Sequence, residues 1–223
     1  MIAQQIKSIT DQLPQGVRLI AVSKFHPAEA IMEAYQAGQH LFGENHVQEL
    51  VQKQAELPQD ISWHFIGHLQ TNKVKYLVPF VSLIHSIDSL KLLTTVNKEA
   101  QKVGRVVPCL LQLHIAHEET KFGFSPEECR ELLASNVLQE LPHVRVSGLM
   151  GMATNTDDVA EVRREFKELK SLFDEWKHTY FPHDEQFKEL SMGMSGDYPI
   201  AIEEGSTLIR VGTSIFGERD YNR

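Results

Sequence analysis

Apolar residues at Ile2, Ile6, Ile9 and Leu13 recur at helical spacing, which predicts a short amphipathic helix ended by Pro14. From residue 19 the pattern changes to an apolar run over 19–23 that reads as a strand. A regular alternation follows. Residues 27–37 read as a helix, with Pro27 at a permitted first-turn position and Gly38 as its stop. A strand at 40–42 leads through Gly43-Glu44-Asn45 into a polar helix at 47–56. Strands are then predicted at 62–66 and 82–85, with a helix at 71–77 between them. Asp88 is expected to cap a helix that runs to Val103 and stops at Gly104. The longest strand signal covers 106–115, and Ser125-Pro126-Glu127-Glu128 opens a helix with a capping-box arrangement. A strand at 144–149, the longest helical periodicity at 157–180, a strand at 187–191, a helix from about Asp197 and a strand at 207–211 complete the pattern.

About eight strands separated by helices are the sequence signature of an α/β chain folded as a (β/α)₈ TIM barrel. The competing architecture is a doubly wound open sheet, but no GxGxxG or Walker-type loop follows any early strand. No linker, repeat or low-complexity stretch divides the chain, so one domain over 1–223 is expected.

Composition narrows the function classes. With 42% hydrophobic and 23% charged residues, there is apolar mass for a full core. A formal charge of −8 argues against a nucleic-acid binder, although a local pocket for one small anion is compatible with it. Cys109 and Cys129 lack metal-type spacing and read as reduced, buried thiols. Neither a signal peptide nor a membrane span is visible, and the expected compartment is the cytoplasm.

The candidate chemistry falls at strand ends, where barrels of this kind bind ligands. Lys24 ends the first predicted strand and Asn45 follows the second. The loop Ser191-Met192-Gly193-Met194-Ser195-Gly196-Asp197 follows the seventh, and Arg210-Val211-Gly212-Thr213 ends the eighth. A partly desolvated lysine is available as a free amine for Schiff-base formation. Backbone N–H groups with Ser195, Gly212 and Thr213 suit one anion, and Arg210 suits a phosphate or a ring nitrogen. An amine and an anion site together fit a phosphorylated aldehyde, of which pyridoxal 5′-phosphate (PLP) is the common biological example. Each feature has a plainer alternative: a solvated lysine, a glycine turn capping a helix, a guanidinium closing the barrel. His64 and His68 stand four apart on a strand-to-turn segment, so their rings share no face and a zinc site is not expected. His64 is expected to line the barrel interior, with a hydrogen-bonded core histidine as the alternative. Met150, Met192 and Met194 are expected to pack, with contact against a flat ring as the further role open to them.

The segments Ile20-Ala21-Val22-Ser23-Lys24, Phe42-Gly43-Glu44-Asn45, 63–73, Lys121-Phe122-Gly123, Gly148-Leu149-Met150, 191–197 and 210–217 span nearly the whole chain. In that order they resemble the pyridoxal phosphate homeostasis protein family. The resemblance implies a barrel shared with the N-terminal domain of alanine racemase, and PLP held as a Schiff base on Lys24. It also implies Asn45 nearby and the phosphate at Ser195, Gly212 and Thr213; His64 and Met194, from the reading of the residues, are counted with them as candidate cofactor-binding positions. Arg210 would face the pyridine nitrogen and keep it unprotonated, which weakens the electron sink that most PLP enzymes use. The implied role is a carrier or regulator of PLP and amino-acid balance, not an enzyme. PLP-dependent apoenzymes are the macromolecular partners that such a role admits, and a monomer is expected.

The chain departs from these patterns in places. His46 stands where the family often has an aromatic, and Ala28 where alanine racemases place a phosphate-binding tyrosine. Arg223 lies ten residues beyond Thr213, which is expected to leave no space for a racemase's second domain. Two other readings compete: a PLP-dependent amino-acid racemase, and a Schiff-base aldolase of phosphosugars. Racemisation needs a proton donor on each face of the substrate, and no second one is visible.

Overall fold

The strands are short apolar runs because each is covered on both faces, by the barrel interior on one side and by helices on the other. In the computed structural model, which describes residues 1–116 and 122–217, eight such strands close into one parallel barrel. They are β1 (Arg18–Val22), β2 (Leu41–Glu44), β3 (Ser62–Phe65), β4 (Leu83–Ile87), β5 (Val107–Gln112), β6 (Val144–Met150), β7 (Glu189–Met194) and β8 (Leu208–Val211). β8 returns to β1 with Ile20 opposite Arg210 and Ala21 opposite Val211. The expected (β/α)₈ barrel is the observed fold. Lys121, quoted above as part of a motif, lies outside the described residues.

The helices alternate with the strands: α1 (Ile2–Thr10), α2 (Ala28–Gln36), α3 (Val47–Glu56), α4 (Val74–Leu77), α5 (Leu90–Lys102), α6 (Pro126–Ala134), α7 (Val159–Tyr180), α8 (Tyr198–Glu203) and α9 (Thr213–Phe216). The main core lies between sheet and helices, where Trp176, Phe166, Phe42, Phe65 and Leu50 are fully buried. A smaller apolar cluster of Ile20, Leu83, Leu110, Met150 and Leu208 fills part of the barrel interior. Cys109 and Cys129 are both buried and unpaired, and burial pushes both thiols up, Cys129 to about 12. Among the described residues no helix is long and apolar enough to cross a membrane.

Several boundaries differ from the sequence pattern for identifiable reasons. Ser89, not Asp88, caps α5, because its Oγ accepts the Leu92 N–H at 3.3 Å. β5 stops at Gln112, where the returning chain takes over: Phe124 N–H donates to the Gln112 carbonyl, and the Phe124 carbonyl accepts from His114 N–H. The expected helix at 71–77 opens as a 3₁₀ turn, Thr71–Lys73, before α4. The segment expected to be a loop from Ser191 is strand as far as Met194, with Ser191 paired to both Met150 and Leu208. The capping box at Ser125 is present as the sequence suggests.

Gly148 shows how tightly the sheet is drawn together. Its φ is +148°, and a Cβ there would lie 1.8 Å from the Glu189 carbonyl oxygen of the neighbouring strand. Gly148→Ala combines left-handed backbone strain with a clash against backbone, which has little freedom to yield. It should destabilise the fold by about 3 kcal/mol or more. Urea unfolding of the variant beside the parent checks this.

Candidate functional site

Barrel closure brings the two ends of the sequence to one mouth. β1 ends at Val22, and Lys24 sits two residues further on in a turn closed by His26 N–H donating to the Ser23 carbonyl at 3.1 Å. Asn45 follows β2, Ser195 and Gly196 follow β7, and Gly212 and Thr213 follow β8. These four strands are neighbours in the barrel, so their C-terminal ends form a continuous arc. A cavity of about 280 Å³ lies within it. Its lining includes Lys24, Asn45, Met194, Ser195, Arg210, Gly212 and Thr213, all singled out from the sequence. Val22, Ile66, Met152 and Gly196 complete it. Met152 escaped sequence reading, although it continues the alternate-residue pattern that makes Met150 face the barrel interior.

The cavity has a polar end and an apolar middle. At the polar end, Gly212 N–H donates to Ser195 Oγ at 3.3 Å, which links the loops after β7 and β8. The lack of a side chain at Gly212 serves packing on β1: a Cβ would meet the Val22 carbonyl oxygen at 3.1 Å and Val22 Cβ at 3.3 Å. Val22, Ile66, Met152 and Met194 supply the apolar surfaces. Among the described residues, two cations, Lys24 and Arg210, line the cavity, and no carboxylate does. Asn45 Oδ1 is buried without a hydrogen-bond partner, an acceptor whose need a bound donor would meet.

His64 is not in that lining. It lies deeper in the barrel, at a cavity shared with Arg18, Ser62, Arg145 and Lys188 near the N-terminal ends of the strands. His64 Nδ1 is 2.8 Å from His85 Nε2, and His85 Nδ1 is 2.9 Å from Ser191 Oγ. Arg210 Nη1 donates to the same Ser191 oxygen, and Nη2 donates to the Gly151 carbonyl at 3.1 Å. Since Arg210 can only donate, the arrangement that satisfies every member points the Ser191 hydroxyl at His85 Nδ1. His85 Nε2–H then donates to His64 Nδ1. The plainer expectation for His64, a hydrogen-bonded core histidine, describes its position. His85 and Ser191 were missed as a pair because their contact depends on how β4 and β7 face each other across the barrel.

Electrostatics follow from burial. Both imidazoles are held neutral: desolvation lowers His64 to about 3, and desolvation with the neighbouring ring and two arginines lowers His85 well below its ordinary value. Burial lowers Arg210 to about 10, with Asp197 opposing the shift, so the guanidinium stays charged at neutral pH. Met150 and Met192 are buried, whereas Met194 is partly exposed at the mouth. His68 faces Asp88 at 3.2 Å and stacks on Phe122, away from His64. Among the described residues no group of three or more metal-binding side chains occurs.

An amine and a guanidinium set around a cavity at the mouth of a closed parallel barrel define the class: a (β/α)₈ barrel with a basic pocket at the C-terminal ends of its strands. Comparison with known proteins agrees with that fold. The alanine racemase N-terminal domain family matches residues 1–220. A pyridoxal phosphate homeostasis protein of Aquifex aeolicus is 41% identical over 99% of this chain and 96% of its own. PipY of Synechococcus elongatus, solved with PLP bound, is 42% identical over 97% of this chain and 100% of its own, with a TM-score of 0.88. An alanine racemase of E. faecalis, 15% identical, shares the fold over 98% of this chain and 58% of its own, with a TM-score of 0.73. The chain belongs to the pyridoxal phosphate homeostasis protein family.

The buried histidines make stability depend on pH. Each is neutral when folded but takes a proton in the unfolded chain below its ordinary value of 6.5. Their contribution is present above that value and is lost as pH falls, for His64 down to about 3. Glu44 acts in the opposite sense, because burial pushes its carboxyl from 4.5 up to about 7 and its proton favours the folded state between those values. Comparing His64→Gln with the parent cancels Glu44. The variant should show a shallower loss of stability on acidification, by about 1.4 kcal/mol per pH unit between roughly pH 6 and 4. Urea unfolding across that range measures it.

Proposed function

We propose that this protein binds PLP, holds it through Lys24, and serves PLP and amino-acid balance in the cytoplasm with little or no turnover. One observation carries the reading: in a chain of net charge −8, the described residues that line the mouth cavity include two cations, Lys24 and Arg210, and no carboxylate. The PLP-bound state of PipY and the names of the close relatives support it.

When bound, the group supplies an aldehyde, with whose carbon a neutral lysine amine forms a C=N bond as the carbonyl oxygen leaves in water. Lys24 is the amine in the lining. Ser195, Thr213 and the backbone around Gly212 would hold the phosphate, and Val22, Ile66, Met152 and Met194 would flank the ring. Arg210 would face the ring nitrogen. Its guanidinium is fixed by Ser191 and Gly151 and remains charged at neutral pH, so it disfavours a proton on that nitrogen. The electron sink is thereby weakened. Among the described residues, the lining holds besides Lys24 no histidine, tyrosine, cysteine or carboxylate to act as an opposing acid or base. This supports a carrier over a racemase.

Two measurements test the proposal. Borohydride reduction of the PLP-loaded protein should place the pyridoxyl mass on Lys24, and Lys24→Ala should abolish it while the fold survives. A pyridoxyl group found on Lys73 instead, or Lys24-dependent amino-acid turnover near about 1–10³ s⁻¹, would overturn the carrier reading. Ser195→Ala with Thr213→Val should weaken PLP far more than pyridoxal, by about 1.5–3 kcal/mol per lost bond to the phosphate. Equal weakening of both ligands would move the phosphate elsewhere.

A further inference from the structure

The two residues that flank Lys24 are tied to one buried charged cluster. On one side, the Ser23 carbonyl accepts from Lys53 Nζ at 2.8 Å, and Ser23 Oγ donates to Glu44 Oε1 at 2.6 Å. On the other side, Phe25 N–H donates to Glu49 Oε1 at 2.7 Å. Lys53 Nζ joins the halves, donating to Glu44 Oε1 at 2.8 Å and to Glu49 Oε1 at 2.6 Å. Of these five hydrogen bonds, three end on immediate neighbours of Lys24.

The cluster is costly in two ways that packing alone does not explain. The Lys53 side chain is 7% exposed and Glu44 is fully buried, so both give up hydration that an apolar pair would never have needed. Phe25 also holds φ at +65°, a left-handed conformation unfavourable for a bulky side chain unless its surroundings enforce it. The Glu49 bond to its amide is one such enforcement. Glu44 ends β2 immediately before Asn45, so the same cluster anchors a second part of the cavity lining.

We propose that Lys53, Glu44 and Glu49 are positioning residues that hold the Lys24 turn where its amine meets an aldehyde carbon. The proposal rests on the PLP reading above. It predicts a split between two ligands that share ring and phosphate: PLP, and pyridoxine 5′-phosphate, which has an alcohol in place of the aldehyde. A positioning role affects capture by Lys24, whereas a general structural role affects both ligands alike.

The test uses the full chain with Glu49→Ala, whose side chain is partly exposed and the least demanding on folding. Affinity for PLP and the rate of borohydride-trappable capture should each fall about tenfold, as loss of one hydrogen bond to a charged group implies. Pyridoxine 5′-phosphate affinity should stay within about twofold. Glu49→Gln, which keeps an acceptor for the Phe25 amide, should recover most of the loss. Phe25→Gly gives a second route that leaves the cluster intact: glycine frees the turn, so capture should slow while pyridoxine 5′-phosphate binding holds. Equal losses for both ligands, or no loss in either variant, would overturn the positioning role. Failure of the parent protein to trap pyridoxyl on Lys24 would overturn the PLP reading and this inference together, so the two failures are distinguishable.

Discussion

The site depends on one pairing, the closure of β8 onto β1. The register that sets Ile20 beside Arg210 and Ala21 beside Val211 carries Gly212 and Thr213 to the edge where Val22 and Lys24 emerge. Until those strands meet, Lys24 and the Gly212–Thr213 segment lie at opposite ends of the chain. Each intervening βα unit adds a strand with right-handed crossover, so the last strand finds the first only after the whole circuit has formed. Closure also removes both sheet edges.

Lys53 and Arg210, both buried, are treated differently by the surrounding structure. Lys53 is matched by Glu44 and Glu49, so its charge is locally answered and its role is to hold backbone. Arg210 is held by neutral acceptors, Ser191 Oγ and the Gly151 carbonyl, with Asp197 contributing a favourable field. Its charge is therefore directed but not neutralised, which suits it to an anion or a ring nitrogen in the cavity. The neutral His64–His85 pair beneath it completes the support without adding a competing charge. A histidine that kept its proton there would repel the guanidinium across a low-dielectric interior.

Alternation of short apolar runs with amphipathic segments was enough to determine the barrel, because a parallel strand buried on both faces leaves a continuous apolar run and each helix leaves a 3.6-residue stripe. Lys24, Asn45, Ser195, Gly212 and Thr213 were legible for a related reason: polar residues at the C-terminal ends of such runs stand at the mouth by construction. Local chemistry was legible where a single motif sufficed, as with the capping box at Ser125. It failed where two cappers stand side by side, as at Asp88 and Ser89, since only the backbone geometry selects between them. It failed again at Ser191–Met194, where small and polar residues that read as loop are strand, with the Ser191 hydroxyl turned to the barrel interior.

Tertiary structure decided what those polar residues touch. His64 sits on a strand like its neighbours, but its depth in the barrel, set by the registers of β3 and β4, places it below the cavity and against His85. The pairing of His85 with Ser191 reaches across the barrel, and the grip of Lys53 on Ser23 joins α3 to the end of β1. Neither spacing nor periodicity carries such contacts, because they depend on inter-strand stagger and helix placement. The sequence by itself determined which elements exist and which ends bear chemistry. The closed sheet decided which side chains meet, because only its register converts positions along the chain into distances.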